Sequence, residues 1–408
     1  MHETKIKYNI LIIIGLFIII YNPPILPVNT THLVGLCSIM YLAFYYISNK
    51  EISFEYRFLK LIGFFILLFA YLFFVSEFHF YGELSSAIFP LYFIIDILPF
   101  GYAVKVYGEE KNYSTEDYIK YFIVVAVIQA VLAIGAYIYK PMQIFFLNAM
   151  ISRGYGDIVI KLGSHRMYGF AASLTYATPI FQSFMSVIVL YFAQLKKENR
   201  YRNMFLSIIL LLSGVINART AIVVFMCGFI ILVLLGRYSV TNKIVTIISC
   251  IFAIAIISIL FPYIDRFIAS DNMDWITSGF NEILNFIKGN RNQGYFAYLM
   301  SKNVYVMPDN ILFGEGHGIL KQFQDIYSDI GFVNDIWCGG IIYLVVTYAY
   351  WMKICYQMFR NRSEIISFIG IFIALTFLLV NIKGPIFSSN DLFNSFIMIY
   401  VMTCMEKG

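Results

Sequence analysis

The stretch Pro308–Tyr343, PDNILFGEGHGILKQFQDIYSDIGFVNDIWCGGIIY, decides how the rest of the chain is read. It opens as a polar loop punctuated by Gly314, Gly316 and Gly318, then turns into an apolar run with Asp329 and Asp335 in its opening turns. Glycines at that density give the backbone turns closed to other residues. The apolar run is long enough to enter a bilayer, so both carboxylates are expected at a membrane surface. An acid there can act on a substrate half in lipid, whereas at the bilayer centre it would cost roughly 2.5 kcal/mol or more.

Composition points the same way. Of 408 residues 60% are hydrophobic and only 13% charged, and mean hydropathy is +0.75. That balance fits a polytopic membrane protein and excludes a soluble domain of this size. Aromatics at 18% suit lipid-facing surfaces and interfacial belts. The cysteines (Cys37, Cys227, Cys250, Cys338, Cys355, Cys404) all lie in or beside apolar segments with no close pair, so neither a disulfide nor a thiolate metal site is expected. His2, His32, His79, His165 and His317 are scattered, without metal-ligand spacing. No cofactor and no nucleic-acid partner is expected. The N-terminal apolar run after Lys5 and Lys7 lacks a small-residue cleavage site and reads as a retained first helix.

Apolar runs predict an all-α architecture of about twelve transmembrane helices, near 8–21, 33–48, 58–76, 84–104, 119–139, 169–194, 203–218, 220–236, 243–261, 330–352, 364–382 and 390–405. With the N-terminus inside, the short inner loops collect Lys50, Arg57 and Lys60, Lys105 and Lys111, Lys196, Lys197, Arg200 and Arg202, then Arg360 and Arg362. Such a bias sets orientation and places both termini in the cytoplasm. Two long outer loops remain, at about 140–168 and 262–329, within a single integral membrane domain. In the second, Asp274 precedes Trp275, Ile276, Phe280, Ile283, Leu284 and Ile287 at helical spacing, with Gly289 beyond. This amphipathic helix would lie on the membrane surface or close over the protein as a lid.

Three arginines stand at the outer margin: Arg166 where the first long loop meets a helix, Arg219 in the turn Asn217-Ala218-Arg219-Thr220, and Arg291 in the second loop. A guanidinium stays charged and offers a planar fork of donors to phosphate oxygens. Any one of them equally suits snorkelling to lipid headgroups; Arg219, between two hydrophobic helices with almost no loop, is the hardest to explain that way. Asp96 lies inside the fourth helix between Pro90 and Pro99, and a carboxylate there is a functional candidate unless hydroxyls such as that of Tyr92 satisfy it. Glu315 and His317 flank Gly316 as an acid–base pair or as an ordinary polar turn. Asp271 and Asp274 read as helix capping. On residue physics alone Asp329 is a first-turn acid favoured by the helix dipole, worth about 0.3–1 kcal/mol; Asp335 follows on the same helix.

Taken together, four local patterns resemble the bacterial O-antigen polymerase (Wzy) family and, more distantly, the O-antigen ligases. Arg166-Met-Tyr-Gly169 is similar to the family's Arg-x-x-Gly at a helix start after the first long loop. Asn217-Ala-Arg219-Thr220 resembles its Ser-Arg-Thr turn, with Asn-Ala replacing the usual small residues. Arg291 precedes Ile311-Leu-Phe-Gly314-Glu-Gly316 as the family's arginine precedes Leu-Phe-Gly-x-Gly, and Ser328-Asp329-Ile-Gly331, followed by Gly340-Ile-Ile, resembles the helix start closing the second loop. The resemblance covers about 140–352; the first 120 residues match only in hydropathy. The ligases carry a histidine where this chain has Asp329, the same distance ahead of a Gly-Ile pair, and His317 is a poor substitute.

The resemblance implies a glycosyltransferase-C-like enzyme of lipopolysaccharide biosynthesis at the outer face of the bacterial inner membrane. It would join oligosaccharide repeat units carried on undecaprenyl pyrophosphate, in contact with membrane lipid and with a chain-length regulator and a flippase of the same pathway. Arg166, Arg219 and Arg291 would hold the pyrophosphate, and Asp329 would take or orient the acceptor hydroxyl. A flippase or transporter of the same lipid-linked unit is the rival class.

Overall fold

In the computed structural model the described residues are 9–24, 29–49, 54–79, 82–154, 156, 166–167, 169–172, 176–195, 197–235, 288, 298, 301, 304–319, 327–388 and 390–405. Arg291, the amphipathic helix after Asp274 and the span expected at 243–261 lie outside them. Among the described residues the regular structure is helical, with no strand. The helices are α1 (Ile10–Tyr21), α2 (Thr30–Asn49), α3 (Tyr56–Phe78), α4 (Leu84–Tyr92), α5 (Leu98–Glu110), α6 (Thr115–Ile138), α7 (Lys140–Ser152), α8 (Ala177–Leu195), α9 (Arg200–Asn217), α10 (Thr220–Leu235), α11 (Gly331–Phe359), α12 (Glu364–Val380) and α13 (Asp391–Cys404). A π-turn, Phe93–Ile97, joins α4 to α5. Among the described residues, six helical runs are long and apolar enough to cross a membrane: α2, α3, Leu84–Glu110, α6, α8 and α11; α1, α10, α12 and α13 are shorter apolar helices.

Most expected spans reappear within a few residues. Two do not. The sixth starts at Ala177 instead of 169, because Gly169 has φ +57° and turns the chain; Pro179 then lies in the first turn of α8, where a missing N–H costs nothing. The first long loop is not all loop either: α7 occupies Lys140–Ser152, with Pro141 at its start.

The chain divides into two compact units. The first comprises Met1–Asn22, Val28–Val125 and Lys302–Gly408. Its core is aromatic: Trp351 packs edge-on to Phe393 at 4.9 Å, Phe377 to Phe396 at 5.0 Å and Phe93 to Phe393 at 5.2 Å. Rings read from sequence as interfacial thus also fill the interior, and each such pair adds roughly 0.5–1.5 kcal/mol beyond its burial. Apolar residues also point outward, among them Leu11, Phe44, Leu67 and Phe78; so many exposed in one chain fit lipid as the surrounding solvent. This much establishes a membrane-embedded helical protein.

Charge in this unit sorts to opposite helix ends. At one end, Lys105 is buried against Glu55, with Glu109 3.2 Å away, and Arg57 Nη1 donates to the Cys404 carbonyl at 3.0 Å. Lys105 thus lies within α5 and not in the loop expected there, and it balances the buried Glu55. At the other end lie Glu315, Asp329 and Lys383.

The second unit comprises Pro23–Pro27 and Ala126–Ser301. Every residue of α8 from Ala177 to Gln194 is buried, with α9 and α10 packed on it. Polar groups on α8 find partners inside: Ser186 Oγ lies 2.8 Å from both the carbonyl and the hydroxyl of Ser207.

Candidate functional site

The stretch 308–343 forms a loop docked into a broken helix. Gly340 has φ +71° and ψ −175°, a conformation essentially restricted to glycine, and it interrupts α11. A break at membrane depth frees backbone groups that must find partners. Here the loop and one side chain of α3 supply them. Glu315 N–H donates to the Trp337 carbonyl at 2.7 Å, Ile341 N–H to the Ile311 carbonyl at 2.9 Å, and Tyr71 hydroxyl to the Gly339 carbonyl at 2.7 Å. Gly314, at φ +77°, passes so close that a Cβ there would sit 2.6 Å from Gly340 N. Trp337 Nε1 donates to the Val306 carbonyl at 2.8 Å and ties down the loop's start.

The first turns of α11 are fixed by polar side chains. Asn334 accepts from Ile319 N–H at 2.9 Å and donates to the carbonyls of Ser328 and Ile330. Asp335, buried, accepts from Asn381 Nδ2 at 2.9 Å; the same amide nitrogen contacts the Tyr348 hydroxyl, and Asn381 Oδ1 accepts from Ile386 N–H at 3.1 Å. Gly331 permits this approach, since a Cβ there would lie 2.0 Å from Asn381 Oδ1.

Asp329 stands just before α11 and pairs with Lys383, in the turn after α12. Both are partly exposed. The pair sets a carboxylate, an acceptor group, beside an ammonium, a cation of the kind that suits an anionic ligand. Burial and then the Asp329 charge raise the pKa of neighbouring Tyr327, which stays a neutral hydroxyl.

In the second unit, the Arg166-x-x-Gly169 and Asn217-x-Arg219 segments are clamped together. Asn217 Oδ1 accepts from Met167 N–H at 2.6 Å, and Asn217 Nδ2 donates to the Met167 carbonyl at 2.8 Å and to the Ser213 carbonyl at 2.9 Å. A side-chain amide thus replaces backbone pairing between two loops, holding Arg166 one residue from the clamp and Arg219 two residues from it. Gly169 packs with its Cβ position 3.1 Å from Gln129 Nε2.

The remaining candidates fall out differently. Glu315 faces His79, at 3.7 Å, instead of His317. His317 is buried beside the Trp337 ring, 5.4 Å between centroids. Asp96 is buried in the π-turn against Thr31 and His32. Arg291 lies outside the described residues. Sequence reading missed Lys383, Asn381, His32 and the clamping role of Asn217; of these, the polar turn Asn381-Ile-Lys383-Gly384 after an apolar run carried a visible signal. Among the described residues, no group of three or more His, Cys, Asp or Glu side chains is placed to hold a metal.

No protein-family model and no curated protein matches this chain significantly.

Proposed function

We propose that the chain is a polysaccharide polymerase of the O-antigen type, a twelve-span glycosyltransferase-C-like enzyme of the bacterial inner membrane with both termini in the cytoplasm. The observation that carries this reading is the Asn217–Met167 clamp, which joins two of the arginine motifs into one structural feature. Its substrates are oligosaccharide repeat units on undecaprenyl pyrophosphate. In the reaction, the bond from the sugar's anomeric carbon to the pyrophosphate oxygen breaks, and its electron pair leaves with the lipid pyrophosphate. A hydroxyl of the next lipid-linked unit forms the new glycosidic bond and gives up its proton. Arg166 and Arg219, with Arg291, neutralise the leaving group, and Asp329 takes or orients the hydroxyl proton. The pairing of Asp329 with Lys383 supports an acceptor-orienting carboxylate over a strong base.

A flippase or transporter of the same lipid-linked unit is the second reading, favoured by the carboxylate–histidine pair between Asp96, inside the membrane-length run Leu84–Glu110, and His32 at the start of α2. A lipopolysaccharide banding gel from the host lacking the gene separates the two. Polymerase loss leaves core plus a single repeat, and Asp329→Asn or Arg219→Ala at matched membrane expression fails to restore the ladder. Bare core with no single-repeat band sinks the polymerase reading.

A further inference from the structure

Away from those residues, one buried carboxylate has a complete ring of partners. Asp96, 2% exposed, sits in the π-turn Phe93–Ile97 midway along Leu84–Glu110. Thr31 Oγ1 lies 3.0 Å from Asp96 Oδ2, and His32 Nδ1 lies 2.9 and 2.8 Å from Oδ1 and Oδ2. Asn29 caps α2: its Oδ1 accepts from Thr31 N–H at 3.3 Å and faces Thr31 Oγ1 at 2.9 Å. Those contacts orient the amide, so its Nδ2 is the group 3.2 Å from His32 Nε2. Gly35 lets α2 approach this closely, since a Cβ there would meet the Ile95 carbonyl oxygen at 2.5 Å.

Proton counting shows what the ring lacks. An amide NH₂ only donates, so His32 Nε2 accepts and the ring proton is on Nδ1, facing Asp96. The Thr31 hydroxyl has one proton and two acceptors, Asp96 Oδ2 and Asn29 Oδ1. With Asp96 ionised, one of those two contacts has no hydrogen. One added proton on Asp96 Oδ2 completes the circle: Asp96 donates to Thr31, Thr31 to Asn29, Asn29 to His32 and His32 to Asp96 Oδ1.

We propose that Asn29, Thr31, His32 and Asp96 form a binding site for a single proton, held on Asp96 Oδ2 and exchanged past the half-exposed His32 ring. The turn that carries Asp96 is π-helical, and such turns recur at functional positions in helices. Releasing the proton leaves one contact of the ring without a hydrogen: the Thr31 hydroxyl turns to the carboxylate and gives up Asn29 Oδ1, so proton occupancy sets which way that hydroxyl points at the start of α2. His32 is the titratable side chain that faces Asp96, and the Tyr92 ring on α4 lies 5.4 Å from the His32 ring. The other helices packed on the turn carry their charges towards their ends: α3 at Arg57, Lys60 and Glu77, α5 at Lys105, Glu109 and Glu110, and α13 at Asp391.

Infrared difference spectroscopy on the full-length protein in lipid nanodiscs, titrated in proton activity with sodium or choline as the only cation, tests this directly. The expected result is a titrating carboxylic-acid carbonyl band that is lost in Asp96→Asn and shifted in Thr31→Val. Asp96→Asn mimics the closed ring, its amide donating to Thr31 and accepting from His32, so it folds and loses the pH dependence of thermal stability that wild type shows. A protonated band unaffected by Asp96→Asn, the absence of any such band, or its displacement by sodium at fixed pH overturns the proposal.

Discussion

Two helices of the first unit are interrupted within the length that crosses a membrane, and each gap is filled differently. The break in α11 at Gly340 is filled chiefly by main chain: the 311–315 loop pairs with Trp337 and Ile341, and the Tyr71 hydroxyl adds one side-chain contact to the Gly339 carbonyl. The π-turn at Phe93–Ile97 is filled by side chains, Thr31 and His32 closing on Asp96 while Gly35 presses on the Ile95 carbonyl. A gap filled by backbone needs glycine and tolerates little else; a gap filled by side chains needs specific partners and tolerates adjustment. The first arrangement is rigid, and the second can gain or lose a contact without losing its frame.

Glycine substitution at the two gaps separates them most sharply. Gly340→Ala places a Cβ 2.1 Å from the Leu312 carbonyl oxygen and forces alanine to φ +71°. Strain and overpacking together are expected to cost roughly 2–6 kcal/mol, read as loss of a monodisperse folded peak after detergent extraction. Gly35→Ala meets the Ile95 carbonyl at 2.5 Å but has an ordinary helical backbone, so only overpacking acts, about 1–3 kcal/mol. It should stay folded with a lowered thermal midpoint. Equal losses would mean that the two gaps are not filled by different means.

The same contrast governs what was legible in the sequence. Gly314, Gly316 and Gly340 stand out because a backbone gap selects the residue that fits it; Asp335 falls in the opening turns of α11 as expected, whereas Asp329 stands just ahead of the helix. The break itself was not legible: an apolar run reads as one helix whether or not Gly340 leaves it. Asp96 was visible between two prolines, yet His32 lies 64 residues away and precedes the apolar run near 33–48, so nothing local linked them. The Asn217–Met167 clamp spans 50 residues and was hidden for the same reason, although both stretches it joins had been singled out.

A single side chain also reaches into the start of α11, and removing it has an intermediate effect. Asn381→Leu takes away the donor to Asp335 and the acceptor for Ile386 N–H, both buried. Leaving such groups unpaired costs about 1–3 kcal/mol each, and thermal denaturation of the solubilised protein should show it. Trp337→Phe removes the hydrogen bond to Val306, roughly 0.5–1.5 kcal/mol, together with part of the ring packed beside His317. The effect should be local, a faster proteolytic cut between 304 and 313 with little change in midpoint. A global loss from Trp337→Phe would show that the loop start, and not the Gly340 junction, anchors the insertion.

The smallest effect on stability falls at Asp329, where the largest effect on activity is expected. Its ion pair with Lys383 is partly exposed, and such pairs contribute about 0–1 kcal/mol. Asp329→Asn should therefore leave the thermal midpoint almost unchanged while abolishing the polysaccharide ladder. Lys383→Met tests the division of labour within the pair. If Lys383 only holds the carboxylate in place, the variant keeps a ladder of reduced length. If the ammonium also balances the departing pyrophosphate, the ladder is lost although Asp329 is intact. A ladder lost together with the midpoint in both variants would instead make the pair a structural clasp between the start of α11 and the turn after α12, and the proton-accepting group would have to be sought elsewhere in the chain.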